Sequence, residues 1–195
     1  MQKREAILEA ASALFFERGI LATTMDAVAE RAGVSKMTVY AHFADKPALL
    51  AAVFSRTHER FRLPELANAE DLKTSIECLN DFGEKLVFFL TRPHLIKSGR
   101  LMAASAEDHP DLAAAFYAAG PAKLLNQLTG FLRSLGERKL LAIEEPELAA
   151  EHLIAAWLGL SQLRQGLGIT KPPSKEAIAQ RVRRATKEMM RAWAL

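Results

Sequence analysis

The chain has 195 residues, of which 50% are hydrophobic and 25% charged, an ordinary balance for a globular domain and too apolar for a disordered one. Its net charge of +3 is too small to announce a nucleic-acid partner by itself. A single cysteine, Cys78, excludes an intrachain disulfide, and no apolar run approaches the length of a membrane span.

The N-terminal stretch does not read as a signal peptide, because acidic residues interrupt it and a helical stripe runs through it. A cytoplasmic protein with no membrane partner is expected. That stripe is Ile7, Ala10, Ala11, Leu14 and Phe15, at the spacing of one helix face. Gly19 ends this first helix as a left-handed cap. Thr23 and Thr24 are N-cap candidates for a short second helix, with Asp26 near its positive end. Met25, Val28, Ala29 and Ala32 form its inner face, and Gly33 breaks it.

A third helix follows at once. Ser35 is its N-cap, and Val34 with Val39 has the spacing of a hydrophobic staple. Val39 and Phe43 share a face. Asp45 caps a fourth helix, with Pro47 in its first turn and "LP" at 63–64 stopping it after about Arg62. Five more helices are predicted: about Asp71 to Thr91, His94 to Ala106, Pro110 to Glu137 with a bend at Gly120–Pro121, Pro146 to Leu167, and Ser174 to the C-terminus. The expectation is an all-α fold of about nine helices, with no strand-like alternation.

The segment "GVSKMTVYAHF", residues 33–43, is built unlike a core helix. Only Val34, Val39 and Phe43 are clear apolar anchors; between them stand side chains that reach, donate or accept. Two short helices joined by "AGVS" form the helix-turn-helix pattern, whose second helix enters the major groove N-terminus first. Lys36 can donate to guanine or to phosphate, Thr38 can bond a base or pack its methyl on thymine, and Met37 can touch thymine methyls. Tyr40 and His42 lie further along and suit phosphates. Lys46 and Thr24 each stand at a helix start, where free amides also favour a phosphate. Residues 1–60 hold eight Lys or Arg against seven Asp or Glu, so the argument rests on placement. The bland alternative is a three-helix cap with a solvated face.

Residues 7–54 resemble the N-terminal domain of TetR-family transcriptional regulators. The similarity lies in "RGILATTMDAVAERAGVSK", the "VY" and "HF" pairs and "DKPALL", in family order and spacing. The resemblance implies a DNA-binding domain over 1–46 and a ligand-binding and dimerisation domain over 47–195. It also implies DNA-contact roles for Thr24, Lys36, Thr38, Tyr40, His42 and Lys46, beside which Ser35 and Met37 complete the candidate interface. Met37 departs from the family pattern, where a small residue is common. "PDLAAAFYAAGPAKLL" and "EEPELAAEHLIAAWLG" are similar to the AefR-type C-terminal region, which supports fold and dimer mode more than ligand identity.

The other chemistry is sparse. No His pair has the spacing of a helical zinc site; "AEDHPD" at 106–111 fits a metal less well than a solvated turn before a helix. Cys78 reads as a small core residue rather than a redox sensor. No nucleophile triad or phosphate loop is evident, so neither an enzyme nor a cofactor is expected. Phe82, Phe89, His94, Arg100, Met102, Phe116, Tyr117 and Trp157 are candidates to line an apolar pocket, with core packing as the competing role. The small residues Ala149, Ala150, Ala155, Ala156 and Gly159 permit close helix approach and, with the amphipathic last helix, a homodimer interface. The expected partners are an operator in double-stranded DNA, a second copy of the chain, and a small apolar or aromatic ligand that releases the repressor. A non-enzymatic carrier with a vestigial DNA-binding domain is the alternative, and an all-helical enzyme a third.

Overall fold

The computed structural model describes residues 2–58 and 71–195, with the side chains of 57 and 58 excepted. Among them the secondary structure is helical, in eleven segments and with no strand: α1 (Gln2–Arg18), α2 (Met25–Ala32), α3 (Lys36–His42), α4 (Lys46–His58), α5 (Leu72–Leu90), α6 (Pro93–Ala104), α7 (Pro110–Ala119), α8 (Pro121–Glu137), α9 (Pro146–Leu158), α10 (Ser161–Gly166) and α11 (Lys175–Ala192). The expected end of the fourth helix near Arg62 lies outside the described residues.

Two predicted helices are each divided in the structure. The run from Pro110 to Glu137 is two helices, because α7 is capped at Gly120 and Pro121, which has no N–H to donate, opens α8. The run from Pro146 stops at Leu158. There Gly159, at φ +48, donates its N–H back to the Ala155 carbonyl at 2.7 Å, and α10 starts afresh at Ser161.

The chain forms two compact units: α1–α4 with α6 and α7 in one, and α5 with α8–α11 in the other. In the first, Ile7, Ala11 and Leu14 of α1, Val28 of α2, Val39 of α3 and Leu49 and Leu50 of α4 make the core. Met102 of α6 and Leu112 of α7 belong to the same cluster, and Phe116 meets Phe54 of α4 edge-on at 5.3 Å. In the second unit, Leu79, Phe82 and Leu86 of α5, Leu128, Leu132 and Leu135 of α8, Leu153 and Trp157 of α9 and Ile178 and Val182 of α11 are buried together. Apolar burial at this density is the main stabilising term in each unit. Among the described residues no helix is long and apolar enough to cross a membrane, and no group of three or more His, Cys, Asp or Glu converges to hold a metal.

Ala149 and Ala150, expected at a dimer face, are buried within their own unit, whereas Ala155 and Gly159 are exposed. A helix of small residues can turn its small side inward as readily as outward, and here α9 turns those two alanines toward the core. The last helix buries Ile178, Val182, Ala185, Thr186 and Met190, with Arg181, Arg184, Lys187 and Arg191 exposed.

Candidate nucleic-acid interface

The turn between α2 and α3 is built from local signals. Thr24 caps α2, its hydroxyl accepting from the Ala27 N–H at 3.1 Å. The other candidate, Thr23, is buried and donates to the Gly19 carbonyl at 2.8 Å, which closes the α1–α2 turn. Gly33 ends α2 at φ +65, a conformation that costs a side-chain-bearing residue about 1–2 kcal/mol. Val34 then donates to the Ala29 carbonyl at 3.1 Å, and Ser35 caps α3 by accepting from the Thr38 N–H at the same distance. At the staple positions Val39 is fully buried and Val34 is half-buried against the same core.

This anchoring turns the rest of α3 outward. Val39 and the capping residue Phe43 face the core, while Lys36, Met37, Tyr40 and His42 are exposed and Thr38 is half-buried. A short helix held by two apolar residues and offering a polar, reaching face matches what a recognition helix requires.

The polar groups on this face are partly engaged with one another. Lys36 Nζ lies 2.8 Å from Asp26 Oδ1 and donates to Oδ2 at 2.9 Å, an exposed pair that joins α3 to α2. That carboxylate holds the Lys36 ammonium above its ordinary value. Ser35 Oγ and Thr38 Oγ1 share a hydrogen bond of 2.8 Å. His42 lies against Phe43, their rings 6.4 Å apart, and the Arg4 guanidinium sits over the Phe43 ring at 5.3 Å.

Lys46 has turned inward. Its ammonium donates to the Leu21 carbonyl at 2.8 Å, and burial pulls its pKa below the ordinary lysine value. Asp45 caps α4, accepting from the Ala48 N–H at 2.7 Å. The acidic residues of α1 are occupied away from α3: Glu17 takes a two-pronged bond from Arg31, at 3.0 and 2.8 Å, and Glu5 and Glu9 both meet Arg56. Sequence reasoning missed Asp26 as the partner of Lys36 and Leu21 as the partner of Lys46; neither spacing is a helical one, so no periodic signal marks them.

The eight pocket candidates fall in both units. Phe82, Phe89 and Trp157 belong to the second, where Phe82 and Trp157 are core, their rings 6.1 Å apart. His94, Arg100, Met102, Phe116 and Tyr117 belong to the first. Met102 is buried there, His94 meets the Phe16 ring edge-on at 4.7 Å, and Arg100 and Tyr117 are exposed.

Residues 7–53 match the model of the bacterial regulatory proteins of the tetR family, and residues 77–194 match the AefR-like transcriptional repressor C-terminal domain. The transcriptional activator FasR of Mycolicibacterium smegmatis is 33% identical over 111 residues, 48% of this chain and 50% of that regulator; the chain thus aligns with about half the length of this curated relative. Among solved structures, a chain from Mesorhizobium loti assigned to the TetR family superposes with a TM-score of 0.80 at 27% identity, covering 99% of this chain and 97% of that one. The flavonoid-responsive regulator FrrA superposes at 0.74 with 31% identity, covering 98% and 97%. With both halves matched in order and the helix-turn-helix formed as the sequence requires, the chain belongs to the TetR family of DNA-binding transcriptional regulators, with an AefR-like C-terminal domain.

Proposed function

We propose that this regulator is a homodimeric repressor, held on a two-fold operator by residues 1–46 and released by a small apolar or aromatic molecule bound in residues 47–195. The observation that carries the DNA-binding part is the outward face of α3, where Lys36, Met37, Tyr40 and His42 stand on two core anchors. Thr24, Ser35 and Thr38 support it from the ends of α2 and α3. For Lys46 the bond to Leu21 favours a different part, fastening the α1–α2 turn under the interface.

Dimerisation draws support from the apolar surface around α10. Leu160, Leu163, Leu167 and Ile169 are all more than half exposed, with exposed Ala155 and Gly159 on the turns just before them. A surface of this kind is costly to leave in water. The ligand class draws support from the flavonoid response in FrrA's name and from Tyr117, an aromatic side chain left more than half exposed in the first unit. A ligand that prefers one spacing of the two recognition helices shifts the dimer away from the operator by that difference in affinity.

The test is a gel shift with the DNA upstream of the chain's own coding region, with and without an added flavonoid, together with light scattering of the free protein. Specific retardation, its loss with ligand, and a dimer mass are expected. A monomer mass at micromolar concentration, or no preference for any DNA, overturns the reading.

A further inference from the structure

We propose that α3 reads sequence through an apolar contact: Met37 packs on the 5-methyl group of a thymine in the major groove and fixes the base pair accepted there in each half-site. The inference rests on the DNA-binding reading above and adds the chemistry of what is read.

The first turn of α3 offers few uncommitted groups. Lys36 is paired with both carboxylate oxygens of Asp26. Ser35 Oγ is engaged with both the N–H and the hydroxyl of Thr38, so both hydroxyls already have partners. Met37, between Lys36 and Thr38, stands 77% exposed; among the described residues only Leu195 is a more exposed large apolar side chain. Its position is not explained by packing in the first unit, whose core it does not join. An unbranched thioether in water, at the N-terminal end of a recognition helix, lacks only an apolar partner.

The major groove offers one such partner. Thymine alone among the four bases carries a methyl group there; adenine, guanine and cytosine present polar edges. Methionine has no hydrogen-bonding group suited to those edges, and covering a donor or acceptor with it leaves that group unsatisfied. The side chain therefore favours thymine and disfavours cytosine at the same place, a selection that a small residue would not make. Its three flexible torsions let it follow the methyl as the helix settles.

Deoxyuridine provides a clean probe, since it lacks the methyl and keeps every hydrogen-bonding group of thymine. The preferred sequence is first selected from random duplex DNA with the full chain; failure to enrich any sequence counts against the DNA-binding reading itself. Each thymine of the enriched site is then replaced by deoxyuridine, and affinity is measured for wild type, Met37→Ala, Met37→Leu and Thr38→Ala. One thymine in each half-site is expected to lose about fourfold affinity in the wild type when its methyl is removed, the worth of roughly one buried methyl. Met37→Ala should bind thymine and deoxyuridine equally, while Met37→Leu and Thr38→Ala keep the preference. The two Met37 variants should melt like the wild type, since Met37 lies outside the core. The proposal is overturned if no thymine responds, if Met37→Ala keeps the preference, or if Thr38→Ala loses it too.

Discussion

The indole nitrogen of Trp157 donates to the hydroxyl of Thr186 at 2.9 Å, and both residues are wholly buried. This bond joins α9 to α11 inside the second unit, where a polar group without a partner would be costly. Thr186→Val keeps the shape and removes the acceptor. It should destabilise the protein by about 1–3 kcal/mol in urea unfolding, the cost of leaving the indole N–H unpaired. Thr186→Ser restores the acceptor and should recover much of the loss. A loss in Thr186→Ser with none in Thr186→Val would show that the methyl, not the hydroxyl, matters.

Gly83 lies under the same tryptophan. A Cβ there would come within 2.8 Å of Val182 Cγ1 and 2.9 Å of Trp157 Cε2. Alanine in a helix interior ordinarily gains close to 1 kcal/mol over glycine. Here the forced repacking outweighs that gain, and Gly83→Ala should cost about 1–3 kcal/mol. Adding Val182→Ala relieves one of the two contacts, so the double variant should be more stable than the two single losses sum to.

Gly33 contrasts with Gly83, because a Cβ there meets nothing within 4 Å and only the backbone objects, at φ +65. Gly33→Ala should cost about 1–2 kcal/mol by the left-handed conformation alone. Gly33→Asn, which tolerates that conformation better, should cost less. A larger loss for asparagine than for alanine in thermal melts would refute this account.

Asp26 restrains Lys36. Asp26→Asn frees the ammonium and removes a negative charge from the face that meets DNA. Binding to scrambled duplex should strengthen, and the slope of log affinity against log salt should steepen by about one unit per subunit. Stability should hardly change, since the pair is exposed. An unchanged slope would mean that Lys36 already leaves Asp26 when DNA binds.

Glu17 and Arg31 give a pH signature. The two hydrogen bonds from the guanidinium hold the Glu17 carboxyl below its ordinary value of 4.5. Because the folded value lies below the unfolded one, the pair stabilises the fold fully above the ordinary glutamate range. That contribution is lost as pH falls through the depressed folded value. The stability gap between wild type and Glu17→Gln should therefore be constant near neutral pH and shrink below about pH 4.5. A gap that widens in acid would reverse the sign of the proposed linkage.

Much of this protein was legible in the linear sequence, because its signals are local. Thr24, Ser35, Asp45, Asp71 and Ser174 each cap a helix by accepting from an N–H three residues on, and Gly33 supplies the positive φ that ends α2. Such bonds need only a few consecutive residues, so residue type and spacing suffice to find them. The helix-turn-helix, made of two such caps and a staple, was readable for the same reason. Tertiary structure decided what periodicity leaves open: an apolar stripe tells which face is buried but not against what. Ala149 and Ala150 turned inward, α6 and α7 joined the core of α1–α4, and the run after Pro146 broke where Gly159 took a positive φ. The pairings of Asp26 with Lys36, Leu21 with Lys46 and Trp157 with Thr186 lie 10, 25 and 29 residues apart. They exist only because separate helices and the turn between α1 and α2 pack side by side, and no helical repeat marks separations of that kind.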